Sequence, residues 1–174
     1  MKYIVKLFVV TFLLIVSTYA SAEQKIAYLD MKYILNSSKA GKGAQDYLQK
    51  SFKTNQEKFI KQEQSLRQAE KNLLEKKTIL SKEEYQKKTD ELRKMVIDYN
   101  SQRKAALDKI TNQRATAKAD LLKKLNPIID NFIKENSISL VIDKKNVISG
   151  SDDYNITDVI VERLNQKLPS LNIK

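Results

Sequence analysis

The feature that most constrains this chain is a stretch of 83 residues, 44–126, that contains neither glycine nor proline. Because those two residues most often interrupt a helix, their absence over such a length predicts continuous helix. Apolar side chains recur there every seven residues in two series: Phe52, Phe59, Leu66, Leu73 and Leu80, and then Tyr85, Leu92, Tyr99 and Ala106, supported by Val96 and Ile110. A seven-residue repeat forms one apolar seam, as in a coiled coil, and supplies too little apolar surface for a globular core.

A helix start signal separates the two series. Ser81 is followed three residues later by Glu84, which is the pattern of a capping box. The sequence therefore predicts an antiparallel hairpin of two helices, each about 60 Å long, rather than one rod. If the chain folds back at this signal, the two series pair as a straight zipper: Leu80 with Tyr85, Leu73 with Leu92, Leu66 with Tyr99 and Phe59 with Ala106.

Positive charge is concentrated in the same stretch. The whole chain carries 32 Lys+Arg against 21 Asp+Glu, a formal charge of +11. Residues 44–126 hold 20 of those basic residues and 12 of the acidic ones, so +8 belongs to the predicted hairpin. A basic segment of this kind favours nucleic acid, anionic lipid or acidic polypeptide as a partner.

The composition excludes several kinds of chemistry. The chain has no cysteine, no histidine and only three glycines. Ser-His-Asp and Cys-His catalysis, zinc sites built on His or Cys, and a Walker-type phosphate loop are therefore excluded. Adjacent carboxylates occur at Glu83–Glu84 and Asp152–Asp153, in polar stretches where such pairs are ordinarily solvated. The sequence predicts no enzyme, no cofactor and no metal site.

Short elements precede the predicted hairpin. Residues 26–29 alternate as a strand does, and Asp30 is predicted to cap a short helix over 31–35. The Ser- and Gly-containing stretch 37–43 is predicted to be a loop.

Short elements also follow the hairpin. Pro127 lies within a continuing apolar pattern and predicts either a bend in the helix or a helix that stops at the residue before it. Residues 140–142 are predicted to be a buried strand and 147–148 a second short strand. Thr157 is predicted to cap an amphipathic helix over 158–168.

The first 22 residues have the layout of a secretory signal peptide. Lys2 and Lys6 precede an apolar stretch of ten residues, 7–16, and Ala20-Ser21-Ala22 fits a cleavage site. The apolar stretch is shorter than the roughly 20 residues of a spanning helix, although an N-terminal membrane anchor is the alternative. Export makes nucleic acid an unexpected partner.

These patterns predict an α+β protein that is mostly α, with a long antiparallel helical hairpin on a small β-rich body. The predicted divisions are a cleaved signal peptide at 1–22, a coiled-coil arm at 44–126, and a body formed by 23–43 together with 127–174. A body of that size without disulfides is marginal alone, which favours oligomers.

The whole mature chain resembles the Skp/OmpH family of bacterial periplasmic chaperones. The resemblance rests on the long charged hairpin and on its two flanks, residues 26–48 (IAYLDMKYILNSSKAGKGAQDYL) and 139–168 (SLVIDKKNVISGSDDYNITDVIVERLNQKL). It implies a homotrimer in the periplasm, with a β-rich trimerisation body and three arms around a cavity. It also implies an ATP-independent holdase, whose clients are unfolded outer-membrane β-barrel proteins.

Client binding in that family is a property of a surface, so the resemblance carries over no individual residue. The basic residues nearest the predicted tip of the hairpin are the candidates for contact with clients or with an anionic lipid surface: Lys76, Lys77, Lys82, Lys87 and Lys88. A solvated helix end is the plain alternative for each of them. The alternative function is a structural or adaptor coiled-coil protein of the cell envelope, which would dock one specific partner or an anionic lipid surface.

Overall fold

A computed structural model of the protein describes residues 24–173, so the predicted signal peptide lies outside the described residues. The described chain is mostly helical with one pair of strands, which confirms the predicted class. Its elements are, in order, β1 (Lys25–Leu29), α1 (Met31–Ser37), α2 (Lys39–Glu75), α3 (Lys82–Glu135), β2 (Ile138–Asp143) and α4 (Thr157–Lys167), with single 3-10 turns at Lys144–Asn146 and Asp152–Tyr154.

The two long helices α2 and α3 lie antiparallel against each other and form the hairpin. The ammonium group of Lys58 donates to the side-chain oxygen of Gln102 at 3.4 Å. The rings of Phe59 and Tyr99 meet edge to face with their centroids 6.0 Å apart. Phe59 is buried, and seven of the other predicted seam residues are half-buried: Leu66, Leu73, Leu80, Tyr85, Leu92, Tyr99 and Ala106. Phe52 and Val96, by contrast, are exposed.

The register of the hairpin differs from the predicted zipper. The zipper pairs Phe59 with Ala106, whereas the structure packs Phe59 against Tyr99, seven residues nearer the tip. The reason is that α2 ends at Glu75, before Leu80, so the chain turns back earlier than the zipper assumed. At this contact the register therefore differs from the predicted pairing by one full heptad, and the predicted pairing of Phe59 with Ala106 is wrong.

The predicted capping box begins α3. The backbone N–H of Glu84 donates to the Ser81 hydroxyl at 3.2 Å, and the backbone N–H of Ser81 donates to the Glu84 carboxylate at 3.1 Å. Two N–H groups that the first turn would leave unpaired are thereby satisfied. This local signal fixes where the second helix starts.

Helix α3 runs without a break through Pro127, so it does not stop at Asn126. A proline inside a helix lacks the N–H that would bond the carbonyl four residues earlier, here that of Lys123. Ile128 and Phe132, beyond the proline, are buried. One continuous helix thus belongs to the hairpin at its start and to the apolar core at its end.

The apolar core lies at the open end of the hairpin, where α1, α4 and the strands pack on the last turns of α3. We call it the body core, and its buried residues are Ala27, Leu29, Ile34, Ala40, Leu121, Leu125, Ile128, Phe132, Ile156, Ile160 and Leu164. None of the short elements could remove its apolar side chains from water alone, so the core forms only when they pack together.

The two predicted strands pair in parallel, with Ala27 opposite Val141. On the other side of β1, the backbone N–H of Ile156 donates to the Tyr28 carbonyl at 2.9 Å. Among the described residues, β2 pairs only with β1. Leu140 on β2 is 52% exposed, so this strand is less buried than its apolar sequence predicted.

Two predictions about the flanking segments are wrong. The stretch 37–43 is helical on both sides of a sharp corner at Ser38, whose hydroxyl accepts the N–H of Gly41 and caps α2. A Cβ on Gly41 would lie 1.9 Å from the carbonyl oxygen of Leu35, so the glycine permits the corner rather than a loop. Residues 147–148 form no strand, because the chain turns at Lys144–Asn146, capped by Asp143.

Thr157 does not cap the last helix as predicted. It is the first residue of α4, and its hydroxyl accepts the backbone N–H of Asp30 at 2.9 Å. The side chain of Asn155 instead accepts the backbone N–H of Thr157 at 3.1 Å. The threonine therefore joins the end of β1 to the start of α4, which are 127 residues apart in the sequence.

Helix α4 connects the other elements of the body. The side-chain oxygen of Asn165 accepts the backbone N–H of Lys39, which lies in the first turn of α2, at 2.7 Å. Arg163 pairs with Glu135 at 2.6 Å and lies 4.8 Å from the centre of the Phe132 ring. These contacts fix both ends of the hairpin, the start of α2 and the end of α3, to one short helix.

Candidate functional site: the surface of the hairpin

The five candidate lysines lie together at the tip of the hairpin. Lys76 follows the last residue of α2, Lys77 lies in the turn, and Lys82 is the first residue of α3. Lys87 and Lys88 follow in the second turn of α3. All five side chains are exposed, so the structure brings the predicted residues to one end of the molecule.

No ammonium group of these five lysines lies within 4 Å of a carboxylate in residues 24–173. Four of the other fifteen cations of the hairpin are paired along their own helices, as Arg67 is with Glu63 at 2.7 Å. That hydrogen bond and the charge of Arg67 lower the pKa of Glu63. The tip lysines thus take part in no ion pair of the described residues, but residues 75–91 carry five Lys against five Asp+Glu, so the net positive charge of the hairpin lies in its shaft.

Apolar side chains at the tip were not among the predicted site residues. Ile79, in the turn, is 81% exposed, and Leu74, in the last turn of α2, is 58% exposed. Ile79 is adjacent to the seam residue Leu80, and Leu74 is adjacent to the seam residue Leu73. They were missed because the seven-residue repeat selects only the seam positions. Large apolar residues next to the seam are the sequence signal that could have found them. The tip thus combines unpaired cations with exposed apolar surface.

One side of the shaft also carries exposed apolar residues. From α2 these are Phe52, Ile60 and Leu74, and from α3 they are Val96 and Leu107. Helical spacing places the α2 set on one flank of the seam, opposite the flank on which Lys58 reaches Gln102. We call this side of the hairpin the apolar flank; Tyr47, Met95 and Ile97 are exposed elsewhere on the hairpin.

The adjacent carboxylates predicted to be solvated have mostly structural roles. Hydrogen bonds from Ser81 lower the pKa of Glu84, with a smaller contribution from the charge of Lys88. Asp152 accepts the Tyr28 hydroxyl at 3.3 Å, and burial, reinforced by this carboxylate, raises the pKa of that tyrosine. Asp153 accepts the Ser151 hydroxyl at 2.9 Å. Three of the four carboxylates, Glu84, Asp152 and Asp153, thus accept local hydrogen bonds.

Two kinds of site are absent from residues 24–173. No three His, Cys, Asp or Glu side chains gather there as a metal site would require. No helix in that part of the chain is both long enough and apolar enough to cross a membrane.

The described residues thus form a small body that carries a long helical hairpin with exposed apolar and cationic side chains. The family model described as outer membrane protein (OmpH-like) matches residues 25–164. The chain belongs to this OmpH-like family, which is not known for enzymes.

Two individual proteins are similar over most of their length. A Skp-like protein of Pseudomonas aeruginosa is 28% identical over 151 residues, which cover 84% of this chain and 88% of that protein. The crystal structure of an OmpH-like outer membrane chaperone candidate from Caulobacter crescentus CB15 matches with a TM-score of 0.80 at 17% identity. The match covers 89% of this chain and 92% of that chain, so the two share a fold.

Proposed function

We propose that this protein is an ATP-independent holdase chaperone of the periplasm, which binds unfolded outer-membrane proteins and prevents their aggregation. The observation that carries the proposal is the surface of the hairpin, where apolar side chains stay exposed along one flank and unpaired lysines crowd the tip. Unfolded chains present scattered apolar side chains and no fixed shape. A long surface that makes many weak contacts suits them better than a single pocket. Membership of the OmpH-like family supports the same function.

The working form in this proposal is a homotrimer, with the bodies (23–43 and 127–174) joined and the arms (44–126) around a cavity. Exposed apolar side chains on the body support it, because Ile26 and Leu140 lie side by side on paired strands and both remain in contact with water. The edge of β2 away from β1 has no strand partner among the described residues. Pairing between copies would satisfy that edge and cover the apolar pair.

The trimer is tested by shortening the arms. Removing residues 64–95 and closing the gap with a short Gly/Ser linker retains the contact between Phe59 and Tyr99. The shortened protein should remain trimeric in multi-angle light scattering. A monomeric result would place the contacts between subunits in the arms.

Long-range attraction is the proposed first step of client capture. Residues 44–126 carry +8, so three arms would hold +24 around one cavity. Unfolded outer-membrane proteins tend to be acidic, and screening lengths shrink from roughly 10 Å at about 0.1 M salt to roughly 3 Å at about 1 M. The capture rate should therefore fall steeply over that range. Release should change less, because bound clients also make apolar contacts.

The five tip lysines provide the matched mutational test. Reversing Lys76, Lys77, Lys82, Lys87 and Lys88 together to Glu should slow capture while the trimer stays intact. Each single reversal should be nearly silent, because the contacts are diffuse. If one reversal alone abolishes binding, the site is discrete and the adaptor function is favoured. If neither salt nor the fivefold reversal changes the rate, electrostatic capture is refuted.

The holding activity itself is tested by light scattering. An unfolded outer-membrane β-barrel should aggregate when diluted alone and stay soluble with an excess of this protein, with and without ATP. An adaptor would leave aggregation unchanged and bind one folded envelope protein at a defined stoichiometry. A lipid-surface protein would bind anionic vesicles and leave aggregation unchanged.

A further inference from the structure

A large groove lies at the root of the hairpin, on the side of the apolar flank. It has a volume of about 1220 Å³ and opens between α1 and the facing parts of α2 and α3. Its apolar lining includes Leu35 from α1, Leu48 and Phe52 from α2, and Ile110, Leu121 and Leu122 from α3. Leu48, Ile110 and Leu121 are buried at its floor, whereas Phe52 is 46% exposed at its outer end. The groove therefore has a floor of buried apolar residues and leads out onto the hairpin.

The rim of the groove is cationic. Lys32, Arg114, Lys118 and Lys144 line it with exposed side chains, and none of them pairs with a carboxylate in residues 24–173. A fifth cation, Lys145, pairs with Asp143.

The two acidic residues of the lining are engaged in local hydrogen bonds. Asp30 accepts the backbone N–H of Tyr33 at 2.7 Å as the cap of α1. Asp143 accepts the backbone N–H of Lys145 and pairs with that side chain. Five cations against two carboxylates leave the lining with a net positive charge above an apolar floor.

From this combination we infer that the groove is a docking site for an extended polypeptide segment in which apolar and acidic residues alternate. The inference rests on the proposed function and names the sequence pattern that the holdase would recognise first. In an extended segment, alternate side chains point to opposite sides, so apolar residues can enter the groove while carboxylates reach the rim. The positive rim would also repel a segment with basic residues and so exclude it from the groove.

The dimensions agree with such a segment. Phe52 at the mouth of the groove and Ile60 on the apolar flank are eight residues apart on α2, which is about 12 Å along a helix. Side chains four residues apart in an extended chain point the same way and are separated by about 13 Å. One apolar residue can thus occupy the groove while another contacts Ile60.

A second copy of this chain fits the groove less well. Residues 44–126 carry 20 Lys+Arg against 12 Asp+Glu, so the hairpin of a second copy would bring positive charge to a positive rim. The separated apolar residues beyond the groove also suit a polypeptide, with side chains at intervals, better than a continuous acyl chain.

Fluorescence anisotropy with the full mature chain tests the inference. The probe is a labelled synthetic peptide of about 12 residues that alternates Leu and Asp, compared with peptides that alternate Leu with Lys or Ser with Asp. Only the Leu/Asp peptide should bind tightly. Phe52→Ser should weaken its binding about fivefold through lost apolar contact. The double reversal Arg114→Glu with Lys118→Glu should weaken it about tenfold or more.

Matched controls exist for both variants. Tyr47→Ser removes an aromatic ring that is also 46% exposed on α2 but does not line the groove. Lys94→Glu with Lys123→Glu makes the same charge change on α3, also outside the groove lining. Both controls should bind the peptide as the unchanged protein does.

Each other outcome overturns the inference in a distinguishable way. If variants and controls weaken peptide binding equally, the groove is not the docking site. If no peptide binds while the protein still suppresses aggregation, the docking site is likewise refuted. In both cases the proposed holdase function is unaffected. Loss of both activities removes the proposed function as well. If the groove variants change the oligomer in light scattering, the groove is a contact between copies. If the same variants abolish binding to phosphatidylglycerol-containing vesicles and the peptide does not compete, the groove is a lipid site.

Discussion

In the body core, Leu125, Ile160 and Leu164 are completely buried among side chains from several elements. In the hairpin, by contrast, Leu73 and Leu92 lie along a single seam and remain half-exposed. The body is thus stabilised by burial of apolar surface in three dimensions. The hairpin depends on one line of contacts together with local helix signals such as the capping box.

The difference explains how one chain can be both stable and adaptable. A thin seam leaves much of the apolar surface of the hairpin in contact with water, where a closed core would have removed it. Local opening is expected to need less free energy in the hairpin than in the body, because fewer buried contacts are lost. Exposed apolar surface for a partner and low local stability therefore come from the same arrangement.

The largest expected effect contrasts the two regions directly. Leu125→Ala should lower the free energy of unfolding by about 2–5 kcal/mol, because it leaves a cavity in a closed core. Leu73→Ala should lower it by only about 1 kcal/mol, because its side chain is already half-exposed. Urea denaturation followed by circular dichroism measures both. Equal losses would mean that the seam is as important for stability as the core.

A smaller effect is expected at the corner where α1 joins α2. Gly41→Ala should destabilise the protein by about 1–3 kcal/mol, because the new Cβ would collide with the Leu35 carbonyl and the corner would have to shift. Gly43→Ala is the matched control, since a Cβ there meets nothing within 4 Å. The control should stabilise the helix by about 0.5–1 kcal/mol. Thermal denaturation of the two variants should therefore show shifts of opposite sign.

At the tip, Ser81→Ala should cost about 1 kcal/mol, because the N–H of Glu84 loses its acceptor. The loss should be local. Hydrogen exchange should become faster for amides in the first turn of α3, while the protected amides of the body core keep their rates. Faster exchange throughout the body would show that the hairpin and the body unfold as one unit.

The smallest effect is a dependence of the tip on pH. Hydrogen bonds from Ser81 lower the pKa of Glu84 below its ordinary value of 4.5, so the capping box is fully formed above that value and is lost as the pH falls through the lowered pKa. Protection factors in the first turn of α3, corrected for intrinsic exchange, should therefore decline on acidification. Glu84→Gln keeps an acceptor without a charge, so its protection should be independent of pH. A decline of equal size in both proteins would assign the effect to other groups.

The sequence predicted those elements whose signals are local. The strand at 26–29, the cap at Asp30 and the box at Ser81 depend on residues within a few positions of each other, and the structure confirms them. The seven-residue repeat and the capping box also predicted the antiparallel hairpin. They did not predict its register, because the predicted pairing did not take into account that α2 ends at Glu75.

The wrong predictions depend on contacts between distant residues. From the sequence alone, Gly41 indicates a loop. Its place in a helix depends on the close approach of the Leu35 carbonyl, which the sequence does not reveal. Thr157 has the position of a cap, yet its hydroxyl bonds to Asp30, a residue near the other end of the chain. The tip lysines were found from charge alone, whereas the groove needs residues from three helices and has no local signature.

The continuous path of α3 through Pro127 makes that helix a lever. From Lys82 to the proline it extends 45 residues, or about 67 Å at 1.5 Å per residue. A change in bend of about 5° at the proline, where one backbone hydrogen bond is missing, would swing the far end by about 6 Å. The tip can therefore move by more than the spacing between strands while Leu125 and Ile128, on either side of the pivot, stay packed. Because the start of α2 is also held to the body through Lys39, such a swing requires α2 to bend together with α3.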